Sequence, residues 1–254
     1  MFKTEYYQNF FSQFQLDDFD QLWNHHIDWF EEPNIRRGGW SGVGKLDLNT
    51  TADEFLSVFV KKQKNHGRRT VRHPFSGEPT FRRELDRLEY LERCNIPAPK
   101  VVFYDEKTVE NTACAILITE TLLDYEPLDV LTEHWFNKGN VTREQKRMLL
   151  SSVAKSLRRF HQSGLVHRAL YPKHIFVKKA GSKPKIALID LEKARFRKVF
   201  WYCAYYDLSA LHRHAEHWSR SDYLYFYLAY FEMKQLTKPL KLLCRFILRR
   251  SSRP

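Results

Sequence analysis

The sequence predicts an α+β protein of two lobes, a small β-rich N-terminal lobe and a larger, mostly helical C-terminal lobe. Three observations support this division. Several apolar runs rich in aromatic and β-branched residues precede residue 123 and are typical of strands. A long segment after Thr142 has apolar residues at helical spacing. Two short apolar runs between residues 174 and 191 return to the strand pattern. We therefore expect domains at 1–123 and 124–254.

Composition is that of a globular protein with a strong basic excess. The 254 residues are 43% hydrophobic and 28% charged, which argues against extensive disorder and suffices for two lobes. The 42 Lys and Arg against 30 Asp and Glu give a net charge of +12. This charge favours a polyanionic partner such as nucleic acid, anionic lipid or phosphorylated sugar, without choosing among them.

The cysteines and apolar runs indicate a cytoplasmic location. Cys94, Cys114, Cys203 and Cys244 form no C-x-x-C pair, so neither a zinc site nor a disulfide framework is expected. The first twenty residues lack the pattern of a secretory signal, and no apolar run approaches the length of a membrane span. We expect a chain that is neither exported nor membrane-spanning.

The small lobe is predicted to have the order β-β-β-α-β-β. We expect a helix over 19–29, then a strand, a Gly-rich turn and a strand over 36–48, and a further strand over 55–62. The Gly- and Pro-containing segment 64–79 predicts a loop. A helix capped by Thr80 follows, and its apolar stripe is Phe81, Leu85, Leu88 and Leu91. The runs IPAPKVVFYD and ACAILITE then predict two strands.

The large lobe is predicted to be helical around one pair of strands. Thr142 begins a helix with an apolar stripe, and Gly164 lies just after its end. The runs HIFVKK and KIALIDL predict two strands joined by the turn-like AGSKP. Residues 207–250 predict further helices.

The glycine-rich segment is the first candidate for nucleotide binding. Gly39 and Gly44-Lys45 have the spacing of a P-loop, but Leu46 replaces its Ser or Thr and a strand-like pattern follows instead of a helix. A glycine-rich hairpin, whose backbone amides at Gly39 and Gly42 approach phosphates, fits better. An ordinary turn is the alternative.

Lys61 and Glu84 are the second candidate. Strand alternation puts Phe59 and Lys61 on one face, so Lys61 can reach nucleotide phosphates if a carboxylate holds it. Glu84, on the following helix, can supply that carboxylate. The alternative is that both side chains are simply solvated.

The segment His167-Arg168-Ala169-Leu170-Tyr171-Pro172-Lys173-His174 is the most specific motif. It aligns without a gap to the kinase pattern H-R-D-L-x-x-x-N, and Asp190 follows where the metal-binding aspartate of kinases belongs. The order of these elements along the chain is that of kinases, with Lys61 first, then Glu84, this segment and Asp190. Ala169 occupies the position of the catalytic aspartate.

These motifs resemble the lipopolysaccharide core-sugar kinases of the Kdo/WaaP group, especially its InaA-like branch. The resemblance covers roughly residues 35–250. Its strongest stretches are RRGGWSGV, FVKKQ, FRREL, HRALYPKHIFV and ALIDLEKAR. It implies a bilobal protein-kinase-like fold, ATP and Mg²⁺ as cofactors, and phosphorylation of a heptose or Kdo hydroxyl in the lipopolysaccharide inner core at the cytoplasmic membrane face.

The resemblance also implies roles for single residues. Lys61 would hold phosphates and Glu84 would orient it, Asp190 would bind Mg²⁺, and the backbone from Glu120 to Leu122 would meet adenine. His174 stands where kinases have a second metal-binding asparagine, and imidazole suits Mg²⁺ less well than oxygen does. Ala169 cannot accept the proton of the attacking hydroxyl, a contribution typically worth about 10²- to 10⁴-fold. Glu192 or a phosphate of the substrate could serve as the base instead.

Other polar residues point to supporting roles. His212, His214 and His217 lack metal-ligand spacing, and a solvated or capping role is favoured. Asp207 resembles the aspartate that braces the catalytic loop of kinases.

The C-terminal segment 236–254 is basic and contains apolar residues. It is either an amphipathic helix resting on anionic lipid or the last helix of the large lobe with a basic outer face.

The sequence thus predicts an ATP-dependent lipopolysaccharide kinase that contacts lipopolysaccharide core or another phosphorylated glycolipid and the anionic membrane surface. The rival is a pseudokinase that acts as a nucleotide-binding regulatory or scaffold protein of the cell envelope. A nucleic-acid-binding protein would be supported by charge alone, and we expect no nucleic-acid partner.

Overall fold

The structure is a computed structural model that describes residues 1–30, 32–36, 38–50, 53–68, 78–137, 141–179 and 183–252. Contacts divide it into two compact units. The first unit comprises Met1–Tyr90 and Pro99–Thr121, and the second comprises Leu91–Ala98 and Leu122–Pro254. The first is rich in strands and the second in helices, so the predicted α+β class is confirmed.

The strand-rich unit is built on one antiparallel sheet of five strands in the order β1-β2-β3-β7-β6. Its elements in chain order are α1 (Glu5–Ser12), α2 (Phe19–Asn24), β1 (Asn34–Arg36), β2 (Gly39–Asn49), β3 (Phe55–Lys64), β4 (Gly67–Arg68), β5 (Glu78–Pro79), α3 (Thr80–Arg93), β6 (Val101–Val109) and β7 (Thr112–Glu120). The predicted order is therefore confirmed, with the short β4–β5 pair added. The rest of the predicted loop, 69–77, lies outside the described residues.

Two N-terminal helices complete the core of this sheet. Phe10, Phe11 and Phe19 are buried in one cluster with Val58 and Val60 of β3. The sequence predicted one helix over 19–29; its start at Phe19 is confirmed, but its end is wrong. Helix α1 precedes it, and α2 ends at Asn24. The early end of α2 has a tertiary cause. The ammonium of Lys62, which is buried on β3, donates hydrogen bonds to the carbonyl oxygens of Trp23 and His25 at 2.9 and 2.8 Å.

Helix α3 is capped by a neighbouring strand instead of its own first residue. The side-chain oxygen of Gln63 on β3 accepts hydrogen bonds from the Thr80 hydroxyl at 3.0 Å and the Phe81 amide at 3.1 Å. The expectation that Thr80 is the cap is therefore wrong, since Thr80 is already helical. The predicted apolar stripe of this helix is buried.

The helix-rich unit contains a small three-stranded sheet, five α-helices and two 3-10 helices, Pro172–His174 and Leu191–Lys193, within its described part. In chain order its elements are β8 (Tyr125–Pro127), α4 (Leu128–Asn137), α5 (Arg143–Gln162), β9 (Leu165–Val166), β10 (Ile175–Lys178), β11 (Lys185–Leu188), β12 (Arg195–Phe196), α6 (Phe200–His214), α7 (Arg220–Phe231) and α8 (Lys238–Ser251). The two predicted strands are present as β10 and β11, and they pair antiparallel. The middle of the AGSKP turn between them lies outside the described residues.

Helix α5 begins and ends as its sequence predicts. Thr142 accepts a hydrogen bond from the Gln145 amide, and the Gln145 side chain accepts one from the Thr142 amide, which is a capping box. Gly164 follows with a φ of +83°, a conformation that glycine adopts without strain.

Helix α8 packs as the last helix of this unit. Leu240 and Ile247 are buried and the helix lies against α6. Leu242, Phe246 and Leu248 are exposed among basic residues. The apolar side of this helix is thus divided, and its buried part belongs to the core, as the second of the two sequence-based alternatives predicted. Arg253 lies outside the described residues. No described helix has the length and apolar content that crossing a bilayer requires.

Candidate active site

Lys61 and Glu84 form the ion pair that their positions on a strand and the following helix predict. Lys61 Nζ lies 2.6 and 2.8 Å from the two carboxylate oxygens of Glu84. Glu84 has 4% of its side chain exposed, whereas Lys61 has 18%. The Glu84 carboxylate therefore fixes the Lys61 ammonium, while part of the Lys61 side chain stays accessible to solvent. This arrangement is the one required for holding an anionic ligand.

The next residue, Lys62, points to the opposite face and was not singled out by the sequence. It is 4% exposed, and its ammonium donates to carbonyls at the end of α2. Burial lowers its pKa to about 8. Strand alternation could have predicted that Lys62 is buried, because Val58, Val60 and Lys62 share the face opposite Lys61.

Gly39 and Gly42 both lie within β2, after a hairpin whose turn contains Gly38 with a φ of +75°. A Cβ at Gly39 would lie 2.2 Å from the backbone oxygen of Asn65, and one at Gly42 would lie 2.7 Å from the Trp29 ring. Close packing alone thus requires glycine at both positions. Their approach to phosphates stays a prediction.

The expected adenine-binding segment begins at the end of β7. Glu120 accepts a hydrogen bond from the Tyr7 hydroxyl at 2.7 Å, and the Thr121 amide donates to the Ser57 carbonyl at 2.9 Å. The Leu122 carbonyl accepts from the Tyr125 amide at 3.2 Å. Contact between α1 and Glu120 was not predicted, because no local pattern joins residues so far apart in sequence.

The catalytic-loop segment is held by one buried carboxylate. Asp207 on α6 accepts hydrogen bonds from the amides of His167 at 2.6 Å and Arg168 at 2.9 Å, and from His161 Nε2–H at 3.0 Å. Arg168 has a φ of +68°, which is uncommon for a residue with a Cβ. Asp207 therefore fixes a strained backbone, the bracing role that the sequence suggested.

His167 ties the loop to the residue before Asp190. Its Nε2–H donates to the Ile189 carbonyl at 2.9 Å, and the ring is buried. Burial lowers the pKa of His167, which favours the neutral ring. His167 and Arg168 accordingly hold the loop in place.

Ala169 is completely buried, and its carbonyl is engaged twice. The carbonyl accepts from the Tyr171 amide at 2.8 Å and from His174 Nδ1–H at 2.7 Å. The bond from Nδ1 leaves the ring's lone pair on Nε2. Burial lowers the pKa of His174, so the ring is kept in the neutral form that can bind a metal.

Asp190 and His174 meet at the predicted metal position. Asp190 has a φ of +57°, and its carboxylate lies 3.6 Å from His174 Nε2. A lone pair facing a carboxylate fits a cation between them. Within the described ranges no cluster of three or more His, Cys, Asp or Glu could hold an ion. Asp190 would supply the oxygen ligand that Mg²⁺ prefers and His174 a less suitable nitrogen, and Mg²⁺ usually takes its remaining ligands from water and phosphates.

A cavity of about 500 Å³ lies beside the catalytic-loop segment in the same unit. Its lining includes Tyr171, Lys173, His214, His217 and Asp129. The rings of Tyr171 and His214 meet nearly edge to face with centroids 4.6 Å apart. The lining of the cavity thus includes both basic and acidic groups and one aromatic wall.

The three clustered histidines separate in the structure. His212 Nδ1 accepts from the Tyr227 hydroxyl at 3.1 Å, and burial lowers its pKa. This histidine is structural. His214 and His217 line the cavity instead.

Comparison with known proteins agrees with the kinase-like motifs described above. A family model described as the lipopolysaccharide kinase (Kdo/WaaP) family matches residues 20–230. Protein InaA of Escherichia coli (strain K12) is 30% identical over 212 residues, which cover 82% of this chain and 93% of that protein.

A solved structure described as WaaP in complex with acyl carrier protein has a similar fold. It superposes with a TM-score of 0.67 at 20% identity, covering 91% of this chain and 90% of the other. This likeness shows the bilobal, kinase-like fold.

Proposed function

Because this chain belongs to the lipopolysaccharide kinase (Kdo/WaaP) family, we propose that it transfers phosphate from ATP to a heptose or Kdo hydroxyl of the lipopolysaccharide inner core. The Lys61–Glu84 ion pair is the observation that carries this proposal. A lysine held at 2.6 Å by a buried carboxylate is the phosphate-orienting device that kinases require.

The remaining roles follow from the site's own groups. Lys61 neutralises the nucleotide phosphates, while the β1–β2 hairpin with Gly39 and Gly42 covers them. The backbone from Glu120 to Leu122 meets adenine. Asp190 and His174 would hold Mg²⁺, which neutralises charge on the transferring group when bound.

Asp207 supports this arrangement indirectly. Through the His167 and Arg168 amides it fixes the loop, and His167 in turn fixes the backbone before Asp190. Positioning and charge neutralisation supply most of phosphoryl-transfer catalysis.

A second candidate function arises because Ala169 stands where kinases have the catalytic base. Without an aspartate there, the acceptor hydroxyl lacks general-base help worth about 10²- to 10⁴-fold. The pseudokinase candidate, a nucleotide-binding regulatory or scaffold protein of the cell envelope, rests on this buried methyl group.

Calorimetry of ATP–Mg²⁺ binding and phosphate transfer to extracted core lipopolysaccharide separate the two. We expect wild type to bind and turn over, and Asp190→Ala to lose turnover by about 10²-fold or more. Asp20→Ala, at an exposed carboxylate on α2, is the matched control and should behave as wild type.

The companion variant Ala169→Asp tests the pseudokinase. Nucleotide binding without turnover in wild type, with turnover appearing in Ala169→Asp, would favour it. Robust wild-type turnover that Asp190→Ala abolishes supports an enzyme that uses another base. The new carboxylate would be buried and its pKa raised, so the assay should extend to alkaline pH.

We propose further that the acceptor sugar binds in the cavity beside Tyr171. Its lining combines the Tyr171 ring with the polar groups of Lys173, Asp129 and Glu216, which suits the apolar faces and the hydroxyls of a sugar. The Tyr171 amide hydrogen-bonds to Ala169, so the cavity lies next to the catalytic position.

Replacing Lys173 tests this placement. We expect Lys173→Ala to lower kcat/KM for the acceptor about tenfold, the usual effect of losing one charge-assisted contact, with unchanged ATP affinity. Lys179→Ala, an exposed lysine that does not line the cavity, should leave both values unchanged. A fall in ATP affinity in Lys173→Ala alone would instead place Lys173 at the nucleotide.

We also propose that the protein works at the cytoplasmic face of the inner membrane. The support is the lipid-linked nature of the proposed acceptor together with the net charge of +12.

A further inference from the structure

Residues 193–202, here called the basic-aromatic segment, expose large apolar and basic side chains together. Phe196 is 44% exposed, Val199 62%, Trp201 56% and Tyr202 43%. Its basic residues are Lys193, Arg195, Arg197 and Lys198, and it contains no acidic residue. Four exposed bulky apolar side chains within seven positions are unusual for a solvated surface and mark an interaction site.

The exposure is built into the fold, because the backbone of the segment is fixed. Strand β12 pairs with β9, and the Arg197 amide donates to the Gly164 carbonyl at 2.6 Å. Phe200 turns inward and stacks on Tyr230, with ring centroids 5.8 Å apart. The backbone is held from inside, and Phe196, Val199 and Tyr202 expose much of their side chains, while the partly exposed Trp201 ring stacks on Phe231 with centroids 5.5 Å apart.

The chemistry of the segment fits the surface of an anionic bilayer. Trp and Tyr favour the headgroup region, where an apolar ring and a polar edge are both accommodated. Lysine and arginine are attracted to anionic headgroups, and their apolar stems can lie along the interface. A nucleic acid would match the charge but would not explain Phe196 and Val199.

Helix α6 adds a further attraction for phosphate. It begins at Phe200, and the residue before it, Val199, has no side-chain oxygen to cap the helix. Uncapped amides at a helix N-terminus favour an anion. Lys198 precedes them directly.

We propose that the basic-aromatic segment docks the protein on a membrane rich in anionic phospholipid. This inference deepens and rests on the proposed function, since a lipid-linked acceptor requires a catalytic loop near a bilayer. The segment begins shortly after Asp190 and belongs to the same compact unit. Helix α8 also exposes Leu242, Phe246 and Leu248 among basic residues, but it contains no Trp or Tyr to favour the headgroup region, so we assign it the smaller contribution.

Vesicle flotation of the full chain tests the proposal without any need for turnover. Vesicles of phosphatidylcholine mixed with phosphatidylglycerol are compared with vesicles of phosphatidylcholine alone. We expect wild type to float with the anionic vesicles. Phe196→Ser/Trp201→Ser and Arg197→Glu/Lys198→Glu should each lower the partition coefficient by about tenfold or more.

The matched control is Arg245→Glu/Phe246→Ser on α8, which changes one exposed basic and one exposed aromatic residue of the same unit. It should retain most of the binding. Thermal unfolding of each variant confirms that it is folded.

Two results would overturn the proposal. One is wild type that does not float with anionic vesicles, and the other is loss of binding in the α8 control but in neither segment variant. Flotation that depends on the segment supports the inference even if phosphate transfer fails, so the two proposals fail separately.

Discussion

Lys61 and Lys62 are neighbours on one strand with opposite environments. Lys61 faces the candidate active site and pairs with Glu84, whereas Lys62 faces the core and caps the end of α2. Strand alternation separates the two faces, and burial makes them chemically different. Lys61 is therefore a candidate catalytic residue, whereas the identical side chain of Lys62 is structural.

Burial of Lys62 predicts a specific pH dependence of stability. Its pKa is lowered to about 8 in the folded protein from 10.5. Between these values the unfolded chain binds more protons, so the free energy of unfolding rises with pH, by at most about 1.4 kcal/mol per unit. Below pH 8 the charged form is buried and its cost is fully present.

Urea unfolding from pH 7 to 10 measures this effect. The free energy of unfolding of wild type should rise relative to that of Lys62→Met as pH rises, since only wild type carries the Lys62 ammonium that titrates in this range. Lys45→Met, at a more exposed lysine on β2, should follow wild type. A pH-independent difference between wild type and Lys62→Met would contradict the prediction.

Strand β2 shows how one element serves two purposes. Its glycines admit the Trp29 ring and the Asn65 backbone at distances that a Cβ would occupy. The same absence of side chains leaves the hairpin's backbone open to a ligand, which is why the sequence alone suggested phosphate binding.

Gly42→Ala tests the packing role of this strand. The added methyl group would meet the Trp29 ring at 2.7 Å, so we expect the free energy of unfolding to fall by about 1–3 kcal/mol. Trp29→Leu should relieve the contact. In denaturant unfolding, Trp29→Leu/Gly42→Ala should lose less than the sum of the single variants. Strict additivity would show that the ring moves aside freely.

The whole molecule combines a kinase-like frame with an altered catalytic position. The Lys61–Glu84 pair, the loop braced by Asp207 and the Asp190–His174 pair are all present. Ala169, in the loop braced by Asp207, is completely buried. Under the proposed function, the expected chemical deficit is limited to the general-base contribution, because the groups proposed to position and neutralise phosphate are present.

Local patterns predicted much of this frame. Alternation located β3 and the face of Lys61, and helical periodicity located α3 and α5 with the cap at Thr142. The gapless spacing from His167 to His174 identified the loop. These features depend on residues close together in the chain, so one sequence suffices for them.

The tertiary structure alone decided the partners that are distant in sequence. Lys62 ends α2 across 37 to 39 residues, Asp207 braces His167 across 40, and Gln63 replaces Thr80 as the cap of α3. It also showed which apolar residues of α8 and of the segment 193–202 remain exposed. The sequence by itself determined which chemical groups this protein carries and in what order. Which of them are buried, paired or exposed was decided by folding, because burial and pairing depend on contacts that no local spacing encodes.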